Sequence, residues 1–571
     1  MTSSFFNFLI FYFFNLLIFF TPLALQLIAQ QLCLSNLFTG REQYIIPPYQ
    51  RPYSWGVDQC QQLYDDIVAA YNDNSDYFLG NIVLAVSEKE TGGKKPRVVD
   101  GQQRLTTIWL MFKAFSALFP NMKVLQDVLC TYNWDGSASE KKIRSDVLES
   151  NDDKTLKEIY LWDFQNNNTP LKEVISSCQA EDSFHGKDHH KTNFLFFLQR
   201  FVDFKEAYGQ ENLTRFLKFT LQRVTLLPIE LTGETVAKAE GKALTIFETI
   251  NNRGMNLQDA DIFKAKLYNK ANSADNKKDF MRRWQALKES CSLRKKSIDD
   301  LFRYYSHIER GLAGITRNEI SLRDFFTAPD SVLNRKGYDD IMNDLERINM
   351  VLDRYDMEAQ QPTALAKWLQ IINIYTNAFP KYAAVAYLFR NGFDKTEEVI
   401  RAMKTIVRYS YSMGSTTYVK YGIYNIIRQV MNDQQIEIVP RDVNEFTLSF
   451  SMGKLKWGYA LLAAYIEKPT AWPHYCYDHL LSTRDIQNMS KYWKANGIDF
   501  DPDCLGNLLV AGCPKYSPNY SEKRDYYKLY CGDELKEFFN NTSDIVYIDE
   551  IYQRDALLAR RILNFIHEKD S

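Results

Sequence analysis

Residues 100–107 read Asp-Gly-Gln-Gln-Arg-Leu-Thr-Thr, directly after the β-branched pair Val98-Val99. Five groups meet there: the Asp100 carboxylate, the permissive backbone of Gly101, the amides of Gln102 and Gln103, and the Arg104 guanidinium. The apolar residues that follow, Leu105, Ile108, Trp109 and Phe112, have helical spacing. A strand, a tight Asp-Gly turn and a helix start are therefore expected. Backbone N–H groups at a helix N-terminus attract anions. Arg104 adds a two-pronged donor suited to phosphate, and Asp100 has the hard oxygens to hold a hydrated Mg²⁺ beside it. The same residues also make an ordinary strand-to-helix turn with an aspartate cap.

Two other segments repeat the pairing of amide with arginine. Residues 46–55 read Ile-Pro-Pro-Tyr-Gln-Arg-Pro-Tyr-Ser-Trp, where Pro47, Pro48 and Pro52 hold Gln50 and Arg51 in an extended stretch. Residues 247–257 read Phe-Glu-Thr-Ile-Asn-Asn-Arg-Gly-Met-Asn-Leu, followed by Asp261 and Lys264. There Gly254 permits a left-handed turn after Asn251 and Arg253. Polar, turn-forming residues between apolar segments suit the edge of a site better than a core. The three segments are expected to share one pocket.

A second candidate lies in the last hundred residues. It comprises Asp478-His479, then Leu505-Gly506-Asn507, then Asn519 shortly before Lys523. A carboxylate and an amide oxygen can hold a hard divalent cation, Mg²⁺ or Mn²⁺. A neighbouring histidine can take a proton from water, and an asparagine can hold its ring. These are the ingredients of a one-metal phosphodiester hydrolase, with Asp478 and Asn519 as ligands, His479 as base and Asn507 as its orienting residue. The bland alternative is a capped turn and a Gly-Asn bend.

The elements that must position these groups follow from composition and periodicity. At 571 residues the chain has room for about three or four domains. It is 45% apolar and 25% charged with a net charge of −2, so any nucleic-acid surface is local rather than global. Helical spacing covers residues 56–71, a strand is expected over 77–86, a Gly- and Lys-rich hairpin loop over 88–96, and a returning strand over 224–231. The run His185-Gly186-Lys187-Asp188-His189-His190 reads as a solvated loop rather than a metal site. Beyond residue 270 the chain is helix-periodic, with Arg and Lys interleaved among Tyr304, Tyr305, Arg408, Tyr409, Tyr411, Tyr418, Lys420 and Tyr421. That interleaving reads either as a base-stacking surface or as the core and rim of a helical bundle.

Nine scattered cysteines without a C-x-x-C pair point to reduced thiols in a cytoplasmic protein. Fourteen of the sixteen residues 5–20 are apolar, and apolar character runs on to residue 28, yet no Lys or Arg precedes Arg41. The run is nearly long enough to cross a bilayer but lacks a positive flank. A membrane anchor, a signal peptide and a dispensable upstream extension all remain open, the extension being the preferred reading. No P-loop, dinucleotide fingerprint or nucleophile elbow is present.

The ordered YQR-W, DGQQR and F-x-x-I-N-x-R-G motifs resemble the N-terminal, ParB/sulfiredoxin-like nucleotide-binding domain of the GmrSD-type restriction enzymes, over residues 33–270. The segment from Asp478 to Lys523 resembles the same family's HNH-type nuclease domain. Ser482 stands there in place of the usual proline, Tyr516 falls near a family asparagine, and the spacing before Lys523 is short. The resemblance implies a mixed α/β, multidomain chain. Residues 1–30 would be an apolar extension and 31–270 a ParB-like nucleotide-binding domain. Residues 271–465 would be helical, and 466–571 a small HNH-like ββα-metal nuclease domain. It further implies an endonuclease regulated by a nucleoside triphosphate (NTP) and dependent on Mg²⁺ or Mn²⁺. Its substrate would be foreign double-stranded DNA carrying modified bases, with self-association left open. Gln50, Arg51, Asp100, Gly101, Gln102, Gln103, Arg104, Asn251, Arg253 and Gly254 would bind the nucleotide. The rival class is a nucleotide- and DNA-binding regulator whose HNH-like domain is inactive.

Overall fold

The computed structural model describes residues 27–39, 42–88, 95–147, 150–162, 173, 175–177, 188–251, 259–317, 319–413, 418–437, 440–495, 497, 499–516, 520–530, 533–541 and 548–568. The chain divides into two compact units, Met1–Gln285 and Ala286–Ser571. The architecture is mixed α/β with a helical majority, as expected.

The first unit is organised on a mixed sheet. Its strands are β1 (Leu27–Ala29), β2 (Leu32–Cys33), β3 (Tyr44–Ile46), β4 (Tyr77–Ser87), β5 (Arg97–Asp100), β6 (Ile143–Ser145) and β7 (Val224–Gly233), in the order β1-β7-β4-β5-β3-β6 with β2 also on β7. β4 runs parallel to β7 and antiparallel to β5, and β3 runs parallel to both β5 and β6. The β-branched runs Ile82-Val83 and Val98-Val99 supply buried central positions, consistent with strands covered on both faces. The helix α1 (Val57–Asn72) precedes β4, and α2 (Gln102–Leu118) leaves β5. Leu105, Ile108, Trp109, Phe112 and Phe115 of α2 are fully buried, and α2 packs on α3 (His189–Arg223), where Phe115 stacks on Phe201. The helix α4 (Val236–Asn251) lies across β4, β5 and β7.

Two features differ from the sequence reading. His189 and His190 begin α3 instead of lying in a solvated loop, because the Asp188 carboxylate caps the helix by accepting from the backbone N–H of His190 and Lys191. His190 is consequently buried against the Tyr53 ring. Leu27–Ala29, the end of the apolar N-terminal run, forms an edge strand paired with β7. The rest of that run lies outside the described residues, and no described helix is long and apolar enough to cross a membrane. The described cysteines are free thiols.

The second unit is built mainly of helices, among them α5 (Ile298–Leu312), α6 (Thr396–Ser412), α7 (Val419–Met431) and α8 (Glu445–Ile466). The interleaved tyrosines and cations are mostly interior: Tyr305, Arg408, Tyr409 and Tyr411 are buried, whereas Tyr418 and Tyr421 are exposed. Near its C-terminus, β8 (Cys476–His479) pairs antiparallel with β9 (Leu508–Ala511), placing Asp478 opposite Leu509 and His479 opposite Leu508. The helices α9 (Tyr520–Tyr530) and α10 (Ile548–His567) follow. Leu480, Leu481, Trp493, Leu509, Tyr527 and Ile551 form a separate small core around this pair.

Candidate functional sites

The β5–α2 turn is set by Gly101, whose backbone is left-handed at φ +91°. A Cβ there would stand 2.4 Å from Cγ2 of Ile82 on β4, so both the conformation and the close approach call for glycine. The turn brings the first two amide–arginine segments together. Nε2 of Gln50 donates to the carbonyl of Val99 at 2.8 Å. Nε2 of Gln102 donates to the carbonyl of Arg51 at 2.8 Å. Oε1 of Gln103 accepts from the backbone N–H of Ser54 and Trp55 at 2.9 and 3.1 Å, while its Nε2 donates to the Pro52 carbonyl at 3.2 Å. The amides therefore bind one loop to the other. Tyr53 completes the clamp, its hydroxyl lying 2.6 Å from Thr107 on α2 and accepting from Asn193 on α3.

The charged groups are left facing one another around the turn. The Arg104 side chain is only 13% exposed, yet its guanidinium contacts are long: 3.9 Å to Asp100 and 3.4 Å to the Leu79 carbonyl. Gly80 makes room for it, since a Cβ there would meet Nη1 at 2.3 Å. Burial raises the pKa of Asp100 above the usual carboxylate range, opposed by Arg104, by the Gly101 N–H and by Arg51. Arg51 itself is exposed. Two guanidinium groups and a helix N-terminus thus converge on one carboxylate at the end of β5, an arrangement with the chemistry to receive phosphate oxygens.

Asn251 is the last residue of α4, and its side chain lies outside the described residues, as do Arg253 and Gly254. The same helix contributes a group the motifs did not point to. Glu240 is buried beside the Tyr49 hydroxyl, and burial pushes its carboxyl up to about 7 against the pull of Lys277, Arg97 and Tyr49. Tyr49 in turn packs on Tyr268 with ring centroids 5.2 Å apart. The signal was an acid on an apolar stripe: Glu240, Ala243 and Leu244 follow i, i+3, i+4 spacing and are all buried.

In the second unit Asp478 and His479 take opposite sides of β8, as successive strand residues must. Asp478 is buried, and both its oxygens are engaged. Oδ1 is 3.2 Å from Nζ of Lys515 and accepts from the His479 backbone N–H at 2.9 Å. Oδ2 is 3.1 Å from the buried Nζ of Lys523 and accepts from the Tyr527 hydroxyl at 3.0 Å. Lys523 also donates to the His479 carbonyl at 2.9 Å. Two ammonium groups already neutralise this carboxylate, and Asn519 lies outside the described residues. No group of three or more His, Cys, Asp or Glu side chains converges among the described residues. That donor set does not fit a resident divalent ion.

Asn507 is fully buried and addresses backbone, not the imidazole. Its Oδ1 accepts from Leu481 N–H at 2.8 Å, and its Nδ2 donates to the Pro502 carbonyl at 2.8 Å. It fixes the chain just after His479. The imidazole, about one-third exposed, instead meets Asp503, with Nε2 and Oδ1 3.3 Å apart.

Residues 34–268 match the family model described as GmrSD restriction endonuclease, N-terminal domain. Among curated proteins, none matches the chain. The matched segment contains β3, β4, β5, α2, β7 and α4, and with them every element that builds the Asp100–Arg104 turn. Residues 34–268 thus form a domain similar to the N-terminal domain of the GmrSD restriction endonucleases.

Proposed function

We propose that the chain is a restriction endonuclease of the phage-defence type, in which the first unit binds a nucleoside triphosphate and the second cuts foreign double-stranded DNA. Arg104 carries the nucleotide reading. A guanidinium on a largely buried side chain, with contacts no closer than 3.4 Å, is under-used where it stands. Phosphate oxygens arriving between Arg104 and Arg51, in line with the N-terminus of α2, would give it strong charge-assisted partners. Gln50, Gln102 and Gln103 then serve by holding the two loops in register. Losing a bidentate arginine–phosphate contact costs about 1.5–3 kcal/mol. Arg104→Ala is expected to weaken NTP binding about 10- to 150-fold in calorimetric titration. An unchanged affinity refutes the assignment.

His479 is the base in this reading. Its imidazole takes a proton from water as the water oxygen bonds to phosphorus, the bond to the leaving sugar oxygen breaks, and that oxygen takes a proton from solvent. The preference for modified DNA rests on the family resemblance alone. His479→Ala is expected to slow cleavage about 10²- to 10⁴-fold with NTP binding intact. A second reading, a regulator with an inactive C-terminal domain, is favoured by the ion-paired state of Asp478. Wild-type protein that binds NTP but cuts no DNA would select it.

A further inference from the structure

Asp503 is placed where sequence spacing gave no reason to look, 24 residues after His479. Its Oδ1 lies 3.3 Å from Nε2 of His479 and accepts from Nζ of Lys456, on α8, at 2.7 Å. The Asp503 backbone N–H donates to Oδ1 of Asp501 at 2.9 Å, which shapes the turn presenting the carboxylate. The Trp457 ring also packs on the imidazole in a T-shaped contact, with centroids 5.2 Å apart. The Lys456 hydrogen bond, and then that of His479, hold the Asp503 carboxyl below its usual range. An ionised carboxylate accepts only, so the ring nitrogen facing it must carry the hydrogen.

We propose that Asp503 is the positioning residue of His479, holding the imidazole as the Nε2–H tautomer and leaving the Nδ1 lone pair to take the proton. This rests on the reading of His479 as the base. It gives to Asp503 the orienting role that the sequence suggested for Asn507, whose amide is committed to the backbone of Leu481 and Pro502. Lys456 acts through Asp503, fixing the oxygen that the imidazole addresses.

The test uses the full chain labelled with ¹⁵N-histidine, whose seven imidazoles form a tractable set. The His479 signals are assigned by their loss in His479→Gln. In wild type, a proton on Nε2 and a pyridine-type Nδ1 are expected. Asp503→Ala should mix the tautomers and slow plasmid cleavage about 10- to 100-fold, the usual scale for a partner that orients a histidine. Asp503→Glu should restore most of both. A wild-type spectrum showing the Nδ1–H tautomer overturns the proposal whatever the variants do. So does an Asp503→Ala protein with unchanged tautomer and rate. If wild type cuts no DNA while Asp503→Ala still shifts the tautomer, the positioning role stands and the endonuclease reading falls.

Discussion

The amide of Gln103 accepts from two backbone N–H groups and donates to a carbonyl, all within residues 52–55, from a side chain that is itself buried. Removing it strands the Ser54 and Trp55 N–H groups. Gln103→Ala is therefore expected to cost about 1–3 kcal/mol in urea unfolding and to weaken NTP binding by displacing Arg51. Loss of affinity with full stability would mean that Gln103 touches the nucleotide directly. Glu240 makes a prediction about pH. Its carboxyl is raised from 4.5 to about 7 in the fold, so the folded state holds the proton more tightly than the unfolded chain. The resulting stability is complete below pH 4.5 and is lost as pH rises through about 7, a change on the order of 3 kcal/mol. Glu240→Gln should flatten this slope in unfolding titrations between pH 4.5 and 7. An identical slope in the variant would remove Glu240 as its source.

At the scale of elements, the β5–α2 turn depends on Gly101, and Gly101→Ala meets both a left-handed backbone and Ile82. A destabilisation of about 1–3 kcal/mol is expected, together with loss of NTP binding. The β8–α9 contact depends on the Asp478–Lys523 pair. Asp478→Asn leaves the Lys523 ammonium buried without its countercharge, which should cost about 3–5 kcal/mol in denaturant unfolding. A neutral outcome would show that Asp478 is not the ionic anchor of this fold. The strongly patterned elements were legible in sequence: α1, β4, β5, α2 and β7 carry long apolar periods and sharp turn signals. β1, β2, β3 and β6 were not, because two or three residues are too few to show an alternation. The site divides the same way. Local spacing placed Arg104 beside Asp100, but the Asp503–His479 contact spans 24 residues and the Gln103–Ser54 contact 49. Those pairings exist only once the sheet and the β8–β9 pair have formed.

At the scale of the whole molecule, we propose that nucleotide binding in one unit governs DNA cleavage by the other. The similarity of residues 34–268 to the N-terminal domain of GmrSD restriction endonucleases supports a restriction role. That coupling is read out by cleavage of modified phage DNA by the 571-residue chain, with and without NTP in Mg²⁺ buffer. Cutting is expected to require NTP, to fail in Arg104→Ala and His479→Ala alike, and to spare unmodified DNA. Cutting that is indifferent to NTP, or no cutting of any DNA by a protein that binds NTP, would contradict it.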